Sequence, residues 1–298
     1  MTDSVRLERV RTLTHGNAVY GAAFSPDGKR LATASLDNTV RLWDSASGEL
    51  FGTLKGHGDG VAYVGYLADG RIVTGSLDRT LKCWPANGGA ALATFSGHQD
   101  YLSCAASART GTLLASGGFD KTVRLWDAHT NLPVAVLTGH EANLQCVAIS
   151  GDSKRIASGG DDNSIRLWSV ETKTLSKTMT GHSRAVEGLA FSPDDKRLAS
   201  AGADGTIRLW TADGDPVSTL SIGSGRVKSV VFSPQGRWLL SGGADGIVRV
   251  WDPTDGRQVL AIPAHKNTVY GVAFNPEGTL LASAGFDRTI HIWSVIAE

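Results

Sequence analysis

The segment Asp162-Asn163-Ser164-Ile165-Arg166-Leu167-Trp168 opens on an aspartate and ends six positions later in a tryptophan. The chain repeats that arrangement at Trp43, Trp84, Trp126, Trp210, Trp251 and Trp293, so the tryptophans lie 41 or 42 residues apart, each preceded by its own aspartate at Asp37, Asp78, Asp120, Asp204, Asp245 and Asp287. A unit of this length is too small to bury its own hydrophobic face. Seven of them must therefore stack, and the protein acts through the stacked surface. The eighth tryptophan, Trp238, lies outside the register.

Around Trp168 the short runs Asn143–Ile149, Lys154–Gly159, Ser164–Ser169 and Thr174–Met179 are β-rich or alternating and are separated by clusters of turn residues. They predict four strands. Ser150-Gly151-Asp152-Ser153 and Asp161-Asp162-Asn163 favour tight turns, so consecutive strands should pair antiparallel as a meander. The other units repeat the layout, with Ser-Pro-Asp-Gly at 25–28, Ser-Pro-Asp-Asp at 192–195, Ser-Pro-Gln-Gly at 233–236 and Asn-Pro-Glu-Gly at 275–278. Four-stranded sheets of equal size bury both faces by packing radially around an axis. The expected fold is all-β: a seven-bladed β-propeller of four-stranded antiparallel sheets.

The last unit reaches only its third strand, Thr289–Val295. Leu7–Leu13 precedes the first unit and has strand-like composition, so the N-terminal strand is expected to complete the last blade and close the ring. The blades then run approximately 15–56, 57–97, 98–139, 140–181, 182–222, 223–264 and 265–296 plus 5–14, within a single domain 1–298.

Ten positions before each tryptophan stands a hydroxyl: Thr33, Thr74, Ser116, Ser158, Ser200, Ser241 and Ser283. Further upstream stand His15, His57, His98, His140, His182 and His265, with Gly223 in the sixth unit. With Gly56-His57, Gly97-His98, Gly139-His140 and Gly181-His182 near the start of units, and Trp43-Asp44, Trp126-Asp127 and Trp251-Asp252 closing the third strand, the chain resembles the WD-repeat family over essentially its whole length. The resemblance implies that His, Ser/Thr, Asp and Trp of one blade form a hydrogen-bonded chain. Apart from the first and sixth units these are His57, Thr74, Asp78 and Trp84; His98, Ser116, Asp120 and Trp126; His140, Ser158, Asp162 and Trp168; His182, Ser200, Asp204 and Trp210; and His265, Ser283, Asp287 and Trp293. A buried indole N–H needs an acceptor. Each bond nets about 0.5–1.5 kcal/mol, against roughly 4–6 kcal/mol as an upper bound for burying a tryptophan.

Ser, His and Asp are also the ingredients of a hydrolytic triad, so a propeller hydrolase is the remote alternative. A catalyst needs one activated nucleophile beside a cleft, whereas this set is repeated at sheet spacing. No GxxxxGK[ST], HExxH or strand-borne GxGxxG is present, and no catalytic residue, cofactor or metal site is expected.

Specificity must then come from positions the shared fold leaves free. The WD-repeat resemblance points to the residue five places after the histidine, the residue three places after it, and the one before the aspartate. The first set reads Tyr20, Ala62, Ser103, Gln145, Glu187, Lys228 and Tyr270; the second, Ala18, Gly60, Tyr101, Asn143, Ala185, Arg226 and Thr268; the third, Leu36, Leu77, Phe119, Asp161, Ala203, Ala244 and Phe286. Apolar and aromatic side chains gather in units seven, one, two and three, and charges in four, five and six. Units seven and one adjoin through the closed ring, so Tyr270, Phe286, Tyr20 and Leu36 are expected to form an amphipathic docking patch for a protein or peptide, with Tyr101, Phe119 and Glu187 as further candidates. Arg226 and Lys228 carry the alternative, a phosphopeptide-reading adaptor, as the resemblance allows.

Basic and acidic side chains number 29 each, so no net field draws the chain to nucleic acid. No run is apolar enough to insert into a membrane, and Cys83, Cys104 and Cys146 form no CxxC pair. The expectation is a soluble cytoplasmic scaffold or adaptor that serves in a larger assembly.

Four departures carry their own expectations. Gly223 replaces a histidine, so the sixth hydrogen-bond chain should be shortened or bridged by water and that blade the most mobile. Thr14 replaces glycine before His15, tightening the way into the first blade. Ser107 stands where other units have Phe24, Tyr66, Ile149, Phe191, Phe232 or Phe274, which implies a void or packing from elsewhere. The second unit is one residue short around Leu67-Ala68-Asp69-Gly70 and has Pro85 after Trp84, neither of which moves Asp78 or Trp84 out of register.

Overall fold

The computed structural model describes residues 5–297. They form 28 strands, numbered β1 to β28 in chain order, in seven four-stranded sheets. In the fourth sheet the strands are Leu144–Ile149, Arg155–Gly160, Ile165–Ser169 and Leu175–Met179, paired antiparallel in sequence order. The turn residues place these boundaries within one position of the expected ones. In Ser25-Pro26-Asp27-Gly28 the Gly28 N–H donates to the Ser25 carbonyl at 2.9 Å, while the Ser25 hydroxyl donates to Asp27 at 2.6 Å. Gly28 sits at φ +69°, which its missing Cβ permits.

The innermost strands pack against one another in order round the ring, and the last of them, β26 (Val269–Phe274), packs back on β2 (Val19–Phe24). Closure is completed by β1 (Val5–Thr14), which pairs antiparallel with β28 (Thr289–Ala297) from Val5 opposite Ala297 to Thr14 opposite Thr289. The seventh sheet therefore joins strands from both ends of the described chain, as the unfilled last unit requires.

No blade has a core of its own. The buried apolar side chains fall into seven clusters, each shared by two neighbouring blades. Ala32, Ala34, Val40, Leu42 and Leu54 of the first blade, for example, cover Val61, Val64, Ile72 and Trp84 of the second. Each repeat tryptophan is thus buried by the blade before it, which is why the 42-residue unit cannot fold alone. Trp238, outside the register, joins the cluster between the sixth and seventh blades. That cluster also takes Val5 and Leu7 of β1, while Leu13 of the same strand enters the cluster between the seventh and first blades. One strand holds two interfaces.

Ser107 is compensated from next door. Tyr63, which has Gly or a smaller side chain at the matching place in other blades, reaches across so that its hydroxyl lies 3.3 Å from Ser107 Oγ, and Ser107 donates to the Tyr66 carbonyl at 3.0 Å. Packing from elsewhere is the outcome there, although a cavity of about 690 Å³ remains at that end of the innermost strands, lined by Phe24, Tyr66, Phe232 and Phe274 among others.

Deleting residues 1–14 removes three buried apolar side chains, each worth about 1.5–3 kcal/mol, together with the β28 ladder. Calorimetry should show a large fall in melting temperature, and amide exchange in Thr289–Ala297 should quicken. An unchanged melting temperature would contradict the closure.

Candidate functional site

The polar chains form as the repeat demands. Each tryptophan Nε1–H donates to the hydroxyl ten residues before it at 2.8–3.0 Å, in all seven blades. The hydroxyl contacts histidine Nε2 at 2.7–2.9 Å, and histidine Nδ1 contacts the aspartate at 2.7–3.0 Å, in the six blades that have the histidine. Because the carboxylate only accepts, Nδ1 carries the proton and the hydroxyl donates to Nε2. The aspartate also accepts the backbone N–H of the residue after the histidine and the N–H and hydroxyl of the residue two places on, as Asp37 does from Gly16 and Thr39. One side chain thereby ties the approach to the first strand to the turn between the second and third.

The glycine before the histidine has a steric reason. Gly56, Gly139 and Gly181 adopt φ of +147° to +155°, and the tryptophan ring edge of the blade each leads into lies 3.2–3.5 Å from where a Cβ would stand.

Bond for bond this is the connectivity of a hydrolytic triad. The difference lies in access: the serine and threonine residues are 0–1% exposed, each holds an indole N–H, and the histidines lie beneath the surface. No attacking hydroxyl meets a cleft.

In the sixth blade the chain is shortened, as expected. Trp251 donates to Ser241 at 2.9 Å, while Arg249 turns inward and its guanidinium holds Asp245 at 2.6 Å, which replaces the histidine's contact with the aspartate but not its contact with the hydroxyl. Arg249 is buried, and its planar fork grips the carboxylate with both terminal nitrogens.

The free ring positions are set by a second repeated device. In every blade the pairing of first and second strands slips by one residue, and the residue left unpaired is the one five places after the histidine (or after Gly223): Tyr20, Ala62, Ser103, Gln145, Glu187, Lys228 and Tyr270. A β-bulge re-aims its side chain out of the regular pleat. All seven line one cavity of about 300 Å³ at the mouth of the central channel. The other two sets are tied together, because the N–H of the residue before the aspartate donates to the carbonyl three places after the histidine, as Phe119 to Tyr101 and Phe286 to Thr268.

On this face Tyr20 and Tyr270 stack with centroids 4.2 Å apart and planes 12° from parallel. Phe286, 45% exposed, lies 6.2 Å from Tyr270. Burial and the neighbouring Tyr270 hydroxyl push the Tyr20 phenol well above its ordinary range. Tyr101 and Phe119 form a separate edge-to-face pair at 6.0 Å. Leu36 lies over Gly60 of the second blade, where a Cβ would collide with it.

The charged side chains neutralise one another. Glu187, a docking candidate in the sequence, is buried and receives both Arg226 and Lys228 across the blade boundary. Lys228 Nζ also lies 5.5 Å from the Tyr270 ring centroid. Both basic ring positions are therefore engaged, and the trio carries a single net positive charge. Gln145 donates to Asp161 at 3.1 Å.

The seventh blade gathers donors that the repeat positions did not bring forward. His291 stands two places before Trp293, where the other blades have Arg41, Lys82, Arg124, Arg166, Arg208 and Arg249. Its buried ring lies 4.6 Å from that of His265, and one donor atom each of His265, Asp287 and His291 falls within 4.8 Å of the others. The sequence signal was the break in a basic column.

The model of the family described as WD domain, G-beta repeat matches residues 7–44, 48–85, 89–127, 131–169, 173–211, 214–252 and 256–294. Denticleless protein homolog B of Xenopus laevis is 46% identical over 55 residues, 18% of this chain and 8% of that protein. Ribosome assembly protein 4 of Chaetomium thermophilum is 47% identical over 58 residues, 19% of this chain and 11% of that protein. Human Striatin-4 is 61% identical over 33 residues, 11% of this chain and 4% of that protein. The matched stretches cover a small part of each relative's length. Among the described residues no helix is long and apolar enough to cross a membrane.

Two measurements check this account of the framework. Burial pushes the Asp37 and Asp287 carboxyls up, but hydrogen bonds from Thr39, Thr289, the histidines and backbone N–H groups outweigh it and bring both down to about 2. Burial also lowers His15, His98 and His182, against the pull of their aspartates. Groups depressed in the fold stabilise it above their ordinary pKa and lose that contribution as the pH falls. The melting temperature should begin to decline below about pH 6.5, as unfolded histidines take protons, and fall steeply between about pH 4 and 2. Asp37→Asn should lower it at pH 7 and flatten the acid limb; a wild-type profile level down to pH 3 would refute the assignment. In the sixth blade, Arg249→Ala should cost about 1–3 kcal/mol in denaturant unfolding by stranding Asp245, and a change within error would remove Arg249 from the framework.

Proposed function

Because the chain belongs to the WD domain, G-beta repeat family, we propose that it is a non-catalytic scaffold that docks a protein or peptide partner over the channel mouth and holds it in a larger assembly. The observation that carries this reading is the set of seven bulges, which send chemically different side chains to one place on an otherwise uniform frame. Tyr20, Tyr270 and Phe286 supply the apolar anchor: two stacked rings and a third, exposed one, the residue types that dominate interface energetics. Tyr101, 46% exposed over Phe119, offers a second contact. Arg226 and Lys228, anchored by Glu187, adjoin the Tyr270 side of that anchor as a mixed-charge surface that suits an amphipathic segment better than a phosphate.

Burial of every repeat hydroxyl supports the non-catalytic half of the reading. The relative named for ribosome assembly supports the assembly half. A cytoplasmic setting is part of the same proposal, in keeping with three buried free thiols, of which Cys104 is pushed up to about 12 by burial.

The test is a comparative capture experiment on cell extract, with bound proteins identified by mass spectrometry. Tyr20→Ala combined with Tyr270→Ala should lose the specific partner by more than about tenfold, each removed anchor contributing on the order of 1–2 kcal/mol, while the far-ultraviolet spectrum and melting transition stay in place. Undiminished capture by that folded variant would remove this face from consideration.

A further inference from the structure

His291 breaks the basic column of the third strands, and its surroundings explain what replaced the charge. Its Nδ1 lies 3.0 Å from the Thr12 hydroxyl on the closing strand. Its Nε2 points the other way, 3.4 Å from Thr289 Oγ1. The same hydroxyl lies 3.1 Å from His265 Nδ1 and donates to Asp287 Oδ1 at 2.7 Å, and His265 Nδ1 is itself 3.0 Å from Asp287 Oδ1. Two imidazole nitrogens and a carboxylate oxygen thus gather around the Thr289 hydroxyl, which must rotate aside or join the ligand set when an ion enters. In the other blades with a histidine the corresponding aspartate meets a single imidazole.

We propose that His265, Asp287 and His291 bind one divalent ion of the zinc type at the blade that closes the ring. Two imidazoles and a carboxylate are a donor set of borderline softness, suited to zinc and to the later first-row divalent ions rather than to calcium or magnesium. The distances fit. A tetrahedral zinc with bonds of about 2.0–2.1 Å holds its ligands roughly 3.3 Å apart, so the 3.0 Å gap between His265 and Asp287 needs to open only slightly, and His291 swings in from within the 4.8 Å envelope.

The ion takes the place of the proton that His265 Nδ1 presents to Asp287, and the ring changes tautomer: Nε2 takes the proton and donates to Ser283 Oγ, whose own hydroxyl proton turns away from the ring. Trp293 Nε1–H keeps Ser283 Oγ as its acceptor. His291 offers Nε2, the nitrogen that faces Thr289 Oγ1 and the His265–Asp287 pair. Its Nδ1–H then donates to Thr12, the outer hydrogen bond that commonly orients a ligating imidazole. Through that bond the ion ties the closing strand to the sheet it completes. Access is from the side of Asp287, whose side chain is 13% exposed while that of His265 is covered.

The test uses the full chain after chelator treatment, titrated with zinc by calorimetry and with cobalt by visible absorption. One ion per chain, a tetrahedral cobalt spectrum and a raised melting temperature are expected. His291→Arg installs the residue found at the matching place in five other blades, so it should fold with an unchanged metal-free melting temperature and lose zinc affinity by more than the 10–100-fold typical of supporting residues. Thr12→Val should weaken binding within that smaller range. If His291→Arg fails to fold, His291→Gln and Asp287→Asn serve, read by cobalt spectrum. Equal binding by wild type and these variants, or no heat and no cobalt spectrum in the wild type, overturns the proposal.

Discussion

Every blade of this protein relies on its neighbour to cover a tryptophan. Trp84 is buried by Ala32, Val40 and Leu42 of the first blade, and the same relation runs round all seven interfaces. A stack built this way has no stable end, since an open array would leave one tryptophan face bare and one covering face unused. The ring is the arrangement in which no face is left over, and β1 is the element that lets the last interface form. Apolar burial sets that requirement; the polar chains, each bond worth about 0.5–1.5 kcal/mol, fix geometry within a blade that burial has already assembled.

The division of labour between framework and surface follows from where hydrogen bonds are satisfied. Histidine, hydroxyl, aspartate and indole consume one another's donors and acceptors, so in the blades that lack a second imidazole the set is spent on the fold. The bulged residue is the reverse case. It leaves the regular pairing at one position per blade, and its side chain turns to the channel mouth without a partner that the fold dictates. Identity can change there while the sheet stays as it is, which is how a repeated scaffold presents a surface that is not itself repeated.

Much of this was legible in the chain, and the reason is local. Strand ends in the fourth blade could be placed because Ser150–Ser153 and Asp161–Asn163 punctuate the alternation, and the tetrads because their spacing is constant. What could not be read depends on contacts between distant segments. A two-residue period does not mark an inserted residue, so Tyr20 and Tyr270 were singled out by family resemblance while the bulge that aims them stayed hidden. Arg249 looks like any other basic residue of its column until the space left by Gly223 gives it somewhere to turn. Glu187 looked like a surface charge because Arg226 and Lys228 lie 39 and 41 residues further on and reach it only once two blades meet. Tyr63 likewise fills a vacancy created in the next blade by Ser107.

The pairing of Val5 with Ala297 brings the two ends of the described chain to one corner of the ring. The described residues thus close a ring whose seam lies inside one sheet, between β1 and β28. Any exposed hairpin, such as Gly151–Ser153, offers an equivalent place to begin and finish, because the seam would simply move to another sheet. A segment attached at either end would leave from the same corner, so two appended modules would be held side by side.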